Sequence, residues 1–166
     1  MMLNVVIGIL QANFLFMSYT VERAYCKGPL EQHDTTPLVQ ATIQFCEQYN
    51  PLFLNRPEWL VKATCVHCDY FWILYGGILF TSIGNLWDRR IIQYLILLGL
   101  GAKLYAVLFY HYMELTSDKP PPNLLAYFGA EGLYLVSIAL VLYKVFTTPC
   151  SNERATGTSV ISKKMV

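Results

Sequence analysis

The stretch IIQYLILLGLGAKLYAVLFYHYMEL, residues 91–115, decides the fold. A helix crosses the hydrocarbon core of a bilayer with about 20 predominantly apolar residues, each rising about 1.5 Å. This run has that length, and among its residues only Lys103 and Glu114 carry a full charge. Residues 3–24, 63–86 and 124–147 read the same way, so the sequence predicts an all-α integral membrane bundle of four transmembrane helices. The polar knot Asn85-Leu86-Trp87-Asp88-Arg89-Arg90 separates the second span from the third, and Ser117-Asp118-Lys119-Pro120-Pro121-Pro122 separates the third from the fourth. Charge clusters and consecutive prolines cannot continue a membrane helix, so both are turns.

Composition agrees. Of the 166 residues, 55% are hydrophobic and 14% charged, where a soluble domain carries roughly a quarter charged. A net charge of +1 offers no basic excess for a nucleic acid, and the apolar content excludes a disordered chain. The first apolar run could also be read as a cleaved signal peptide, but no Lys or Arg precedes it, and a membrane helix is the better reading. Residues 1–147 then form one domain, and 148–166, rich in Ser and Thr toward the end, form a disordered cytosolic tail. The longest loop, 25–62, is divided by Pro37, Pro51 and Pro57; within it Leu38 to Tyr49 carries apolar residues at helical spacing and predicts a short helix lying against the bundle.

Four spans put both termini on one side. The Lys and Arg count barely orients them: Arg89, Arg90, Lys144, Arg154, Lys163 and Lys164 stand against Arg23, Lys27, Arg56, Lys62 and Lys119. Lys163-Lys164-Met165-Val166 looks like a dilysine signal, which is read in the cytosol and returns membrane proteins to the endoplasmic reticulum. That reading places both termini in the cytosol and the long loop in the lumen. Cys26 and Cys46 lie in that loop and could pair in an oxidising lumen. Cys65-Val66-His67-Cys68 superficially suggests a metal, but the second ligand pair of a tetrahedral site is missing, and packing is the simpler role for these thiols. No cofactor is implied.

Ionisable groups inside spans are costly, so they face an interior cavity and pair there. This chain keeps Glu22, Asp69, Lys103, His111 and Glu131 in its spans, all in the half toward the long loop. Helical spacing gathers the polar residues into stripes: Gln11, Ser18 and Glu22; Lys103, Tyr110 and Glu114; Tyr127, Glu131 and Tyr134. A polar stripe in lipid must turn inward. In the second span Asp69, with Trp72 at i+3, is expected to turn inward as well.

Asn50-Pro51-Leu52, then Arg56-Pro57-Glu58-Trp59, then Cys68-Asp69 in a membrane helix, with the acid Glu22 lying 28 residues before Asn50, resembles the emopamil-binding-protein superfamily of EXPERA domains, most closely its sigma-2-receptor-like branch. Residues 101–110 and Glu131-Gly132-Leu133-Tyr134 are similar to the third and fourth helices of the sterol isomerase branch. The resemblance implies a four-helix protein of the endoplasmic reticulum with an intramembrane pocket for sterols and lipophilic amines, and a role in cholesterol homeostasis or trafficking. The partners it implies are such a ligand, membrane lipid and, as an option, a second copy of the chain. Glu22 matches an acid of both branches. Asp69 matches a membrane glutamate that follows a cysteine, although an ungapped match puts His67 there. Asn50 stands where the sigma-2-receptor-like branch has an aspartate, and Ser18 where the isomerases have a histidine. Loss of that histidine favours a binder over an isomerase, which needs a proton donor and acceptor around a carbocation. The expected ligand site is Glu22, Asn50, Asp69, Trp72, Lys103, Tyr110, Glu131 and Tyr134.

If the dilysine reading holds, Lys163→Ser with Lys164→Ser, or a tag fused after Val166, releases the protein from the reticulum; reticular staining of both would show that the tail is not the address. A glycosylation site introduced at residues 30–36 is used if that loop is lumenal.

Overall fold

The computed structural model of the chain describes residues 2–31 and 36–150. The dilysine pair and all of the tail from residue 151 lie outside the described residues. Those described are helical wherever regular, with no strand among them.

Helix α1 (Met2–Met17) runs through a π-helical turn, Ser18–Glu22, into α2 (Arg23–Lys27), and the three make one continuous helix, Met2–Lys27. α3 (Pro37–Tyr49) and α4 (Pro51–Asn55) each start with proline in the first turn, where no backbone N–H is needed. The expected loop helix is therefore present. α5 (Glu58–Ile83) follows Pro57, and the chain turns through Asn85, at a left-handed φ of 50°, into α6 (Arg90–Leu115). The Asn123 side chain accepts a 3.1 Å hydrogen bond from the Ala126 N–H and caps α7 (Leu124–Glu131), which is followed by α8 (Leu133–Thr147).

α1 packs on α5 and α8, and α6 packs on the same two, so the four close into a ring. α1 and α5 are antiparallel: a Cβ on Gly8 would touch Leu79, the Cys68 thiol lies 3.3 Å from the Ser18 carbonyl, and Cys26 is disulfide-bonded to Cys65. One end of the ring is filled by Ile7, Ile78, Trp87, Ile96, Ile138 and Val141, all buried. Trp87 comes from the polar knot and folds back beneath the helices. At the other end α3 lays Val39 and Ile43 on Val21.

The outside of the ring is as apolar as the inside. Ile9, Ile83, Leu98, Tyr105, Leu125 and Phe146 are all exposed, the surface of a helix bundle dissolved in hydrocarbon rather than in water. Four spans are expected, but among the described residues two helices are long and apolar enough to cross a membrane, Met2–Lys27 and Arg90–Leu115. α7 and α8 make a third if the pair, bent by 47°, is taken as one span. The bend falls at Gly132, where a Cβ would lie 2.3 Å from the Phe128 carbonyl oxygen, so only glycine fits the break. α5 has 26 residues, but Lys62, His67 and Asp69 dilute its apolar run.

Cys26, which the sequence allows to pair with Cys46, is instead disulfide-bonded to Cys65. Cys46 points instead under α3, where burial pushes its thiol above the usual range. Cys65, in a disulfide, is also no metal ligand, and Cys68 packs as a small buried group. Peptide mapping without reductant is expected to link Cys26 to Cys65 and to leave Cys46 alkylated only after unfolding. Cys26→Ser should lower the unfolding midpoint, since closing a loop with 39 residues of separation contributes about 4 kcal/mol on the chain-entropy account.

Candidate functional site

Beneath α3, the ring does not fill. A cavity of about 330 Å³ opens between the second half of Met2–Lys27, the first half of α5, the second half of α6, and the α7–α8 junction, with Ala41, Thr42, Phe45 and Cys46 of α3 as its lid. Most of its wall is apolar or aromatic, and its volume falls within the range of small-molecule sites.

The π-helical turn shapes one wall. Its wider winding sets Ser18 and Glu22 together, the serine hydroxyl donating to the Glu22 carboxylate at 2.6 Å. The Tyr134 hydroxyl donates to the other oxygen at 3.0 Å, and the His67 ring nitrogen Nε2 lies 3.8 Å away across the cavity. Tyr75 and Lys103 both reach His67, at 2.7 Å each. Lys103 is only 2% exposed. Its Nζ sits 4.3 Å from the centre of the Tyr134 ring, 4.9 Å from that of Phe71 and 5.1 Å from that of Tyr75, an aromatic cage that offsets the lost hydration of a cation. Higher in the wall, Asn50 is fully buried and donates to the Tyr110 hydroxyl at 3.0 Å, and His111 Nδ1 is 2.8 Å from the Tyr127 hydroxyl. Glu114 is fully buried near Asn50 and Tyr110, and among the described residues neither of its oxygens makes a well-aligned hydrogen bond.

Glu131 likewise has no hydrogen bond and no ion pair at contact distance among the described residues, but unlike Glu114 it lines the cavity, where it interacts with Lys103 through space. Ala130 before it offers only a methyl group, and the bend at Gly132 follows directly.

Of the eight expected site residues, Glu22, Lys103, Tyr110, Glu131 and Tyr134 line this cavity, and Asn50 buttresses it through Tyr110. Asp69 and Trp72 do not reach it. The Asp69 side chain is 67% exposed on the outer face of α5, 4.0 Å from the Arg23 guanidinium. Trp72 is also exposed, and its indole N–H is bonded back to the Asp69 carbonyl at 2.9 Å. The reason is rotational: two residues along an α-helix turn the side chain by about 200°. The residue that α5 sends inward is His67, with Thr64, Phe71 and Tyr75 in the same helical register, and that inward register holds the signal that could have located it. No group of three or more His, Cys, Asp and Glu side chains is placed to hold a metal among the described residues.

Compared with models of protein families, with curated proteins and with solved structures, the chain matches none.

Tyr134→Phe keeps the ring stacked on Phe14, 4.4 Å between centroids, and removes only the bond to Glu22. It should cost about 1 to 3 kcal/mol of stability, the penalty for a buried polar group left unmatched, measured as an unfolding midpoint in detergent. Asp69→Asn, which breaks only an exposed ion pair, should change stability by less than about 0.5 kcal/mol.

Proposed function

We propose that this protein is a four-span membrane protein of the endoplasmic reticulum, of the EXPERA type and sigma-2-receptor-like, with both termini cytosolic. In this reading it binds sterols and lipophilic amines in its intramembrane cavity and serves cholesterol homeostasis or trafficking. The observation that carries the ligand class is Glu131, an acid with no hydrogen bond or contact ion pair among the described residues, in a chamber whose wall is mostly apolar and aromatic. Glu22 is already matched by Ser18 and Tyr134, and Lys103 by His67 and its rings. An added ammonium therefore finds a carboxylate on the cavity wall that no donor contacts, while the rings of Phe14, Phe45 and Tyr134 suit the flat apolar body attached to it. A neutral sterol uses the same walls and needs only one hydrogen bond from its hydroxyl.

One observation favours an alternative. His67 Nε2 and the Glu22 carboxylate face each other at 3.8 Å inside the cavity, which returns a histidine near the acid despite Ser18. Such a pair could protonate one carbon of a sterol and accept a proton from another, the chemistry of a Δ8–Δ7 isomerase. Membranes lacking their own isomerase and supplied with this protein decide the matter: conversion of the Δ8 sterol would make the protein an enzyme.

The binding reading is tested by radioligand competition on membranes. Glu131→Gln should weaken a lipophilic amine tenfold to a hundredfold, about 1.5 to 3 kcal/mol for a charge-assisted hydrogen bond, with a smaller effect on a neutral sterol. Asp69→Asn should leave amine binding unchanged. Wild-type affinity in Glu131→Gln would remove the basis of the amine assignment.

A further inference from the structure

Three of the five cysteines meet where the end of the first helix packs on α5. Cys26 is bonded to Cys65, with 5.4 Å between their Cα atoms, and Cys68 stands one turn further along α5 as a free thiol, only 3% exposed. Residues three apart on a helix are neighbours on one face, and helical side chains tilt toward the N-terminus, so the Cys68 side chain leans toward Cys65. The first helix sets two groups against it. The Cys68 thiol donates to the Ser18 carbonyl at 3.3 Å, the same carbonyl that the Arg23 backbone N–H reaches across the π-helical turn, and the Arg23 guanidinium lies beside the Cys68 sulfur. Arg23 itself precedes Cys26 by one turn. A disulfide, a buried thiol and a cation are thus stacked on facing turns of two helices.

Thiol–disulfide exchange needs a thiolate, a disulfide sulfur within its reach and a sulfur that can leave. A guanidinium beside a thiol favours the thiolate. Two residues three apart on an α-helix have Cα atoms about 5 Å from each other, inside the span a disulfide bridges. Burial shuts Cys68 off from thiols in solution, so the disulfide it meets is that of its own chain.

We infer that Cys68 is the exchange partner of this disulfide. Its thiolate attacks the Cys65 sulfur, the Cys65–Cys68 bond forms as the Cys26–Cys65 bond breaks, and Cys26 leaves as a thiolate that takes up the proton Cys68 gave up. One disulfide and one thiol stand on each side of the step, so no oxidant or reductant is consumed. Arg23 is the positioning residue, holding positive charge at the attacking sulfur. The exchange replaces a tie between two walls of the cavity with a tie inside one wall, and frees Arg23–Lys27 from α5. Both ends of the original tie border the cavity: Thr64 and His67, on either side of Cys65, line it, and so does Glu22, four residues before Cys26. The step does not depend on what the cavity binds.

The test uses the full chain carrying Cys46→Ser and Cys150→Ser, which leaves these three cysteines, in mild detergent without reductant and with N-ethylmaleimide present; an acid quench stops exchange, and peptide mapping locates adducts and disulfides. Each release of Cys26 is captured, so chains should accumulate a single adduct, on Cys26, together with a Cys65–Cys68 disulfide. Cys68→Ser should keep the Cys26–Cys65 bond and take no adduct. Arg23→Gln should slow capture about tenfold, and Arg23→Lys, which keeps the charge, should restore most of the rate. Captured chains should exchange their amide hydrogens faster over residues 23–28 than uncaptured ones. In Cys26→Ser, oxidised glutathione should close the Cys65–Cys68 bond directly, releasing two molecules of glutathione, which tests the geometry even if Cys68→Ser fails to fold. The inference is overturned by an adduct on Cys68 with the original disulfide intact, by three adducts per chain from outright reduction, or by capture of Cys26 that is as fast in Cys68→Ser or Arg23→Gln as in the parent chain. Unchanged amide exchange over 23–28, or a Cys26→Ser chain that closes no Cys65–Cys68 bond, overturns it equally.

Discussion

Lys103 must be surrounded before the rest of this bundle can close. An ammonium group near the centre of an apolar helix costs several kcal/mol unless something answers its charge. The answer comes from every wall: His67 and Phe71 from α5, Tyr134 from α8 and, through His67, Glu22 from the first helix. Each helix therefore has one rotation that serves the lysine and several that do not. This gives the bundle a register that apolar packing against lipid, with no hydrophobic drive between helices, cannot supply by itself. The aromatic rings take a double part, as cage for the cation and as wall for the cavity.

Much of this was legible because polar residues stand out against an apolar background. Gln11, Ser18 and Glu22 share one helical face, as do Lys103, Tyr110 and Glu114, and hydrocarbon permits such a face only one direction. Gln11, Ser18, Lys103 and Glu114 are indeed buried. α5 was harder. It offers His67 and Asp69 two residues apart on nearly opposite faces, and charge alone argues for the acid. Geometry prefers the histidine because Asp69 can hold Arg23 at the surface, whereas His67 is what Lys103 and Tyr75 need inside.

Other features are written in space rather than in spacing. The disulfide joins Cys26 to a cysteine on the neighbouring helix, and no pattern along the chain ranks Cys65 above Cys46 as the partner. That no donor contacts Glu131 is equally hidden, since it depends on where three other helices send their polar groups. The break at Gly132 escapes a reading by composition because glycine is common within membrane helices and often does nothing there.

That break divides the labour of the last span. α8 past Gly132 is committed: Ile138, Val141 and Val145 lock it into the core at the far end of the ring. α7 before Gly132 has no side chain in that core and meets the lid helix α3 instead. The two sides of Gly132 thus belong to different packings, α8 to the core at one end of the ring and α7 to His111, through Tyr127, and to α3. Because a side chain at 132 would press on the Phe128 carbonyl, the join between these two packings depends on glycine.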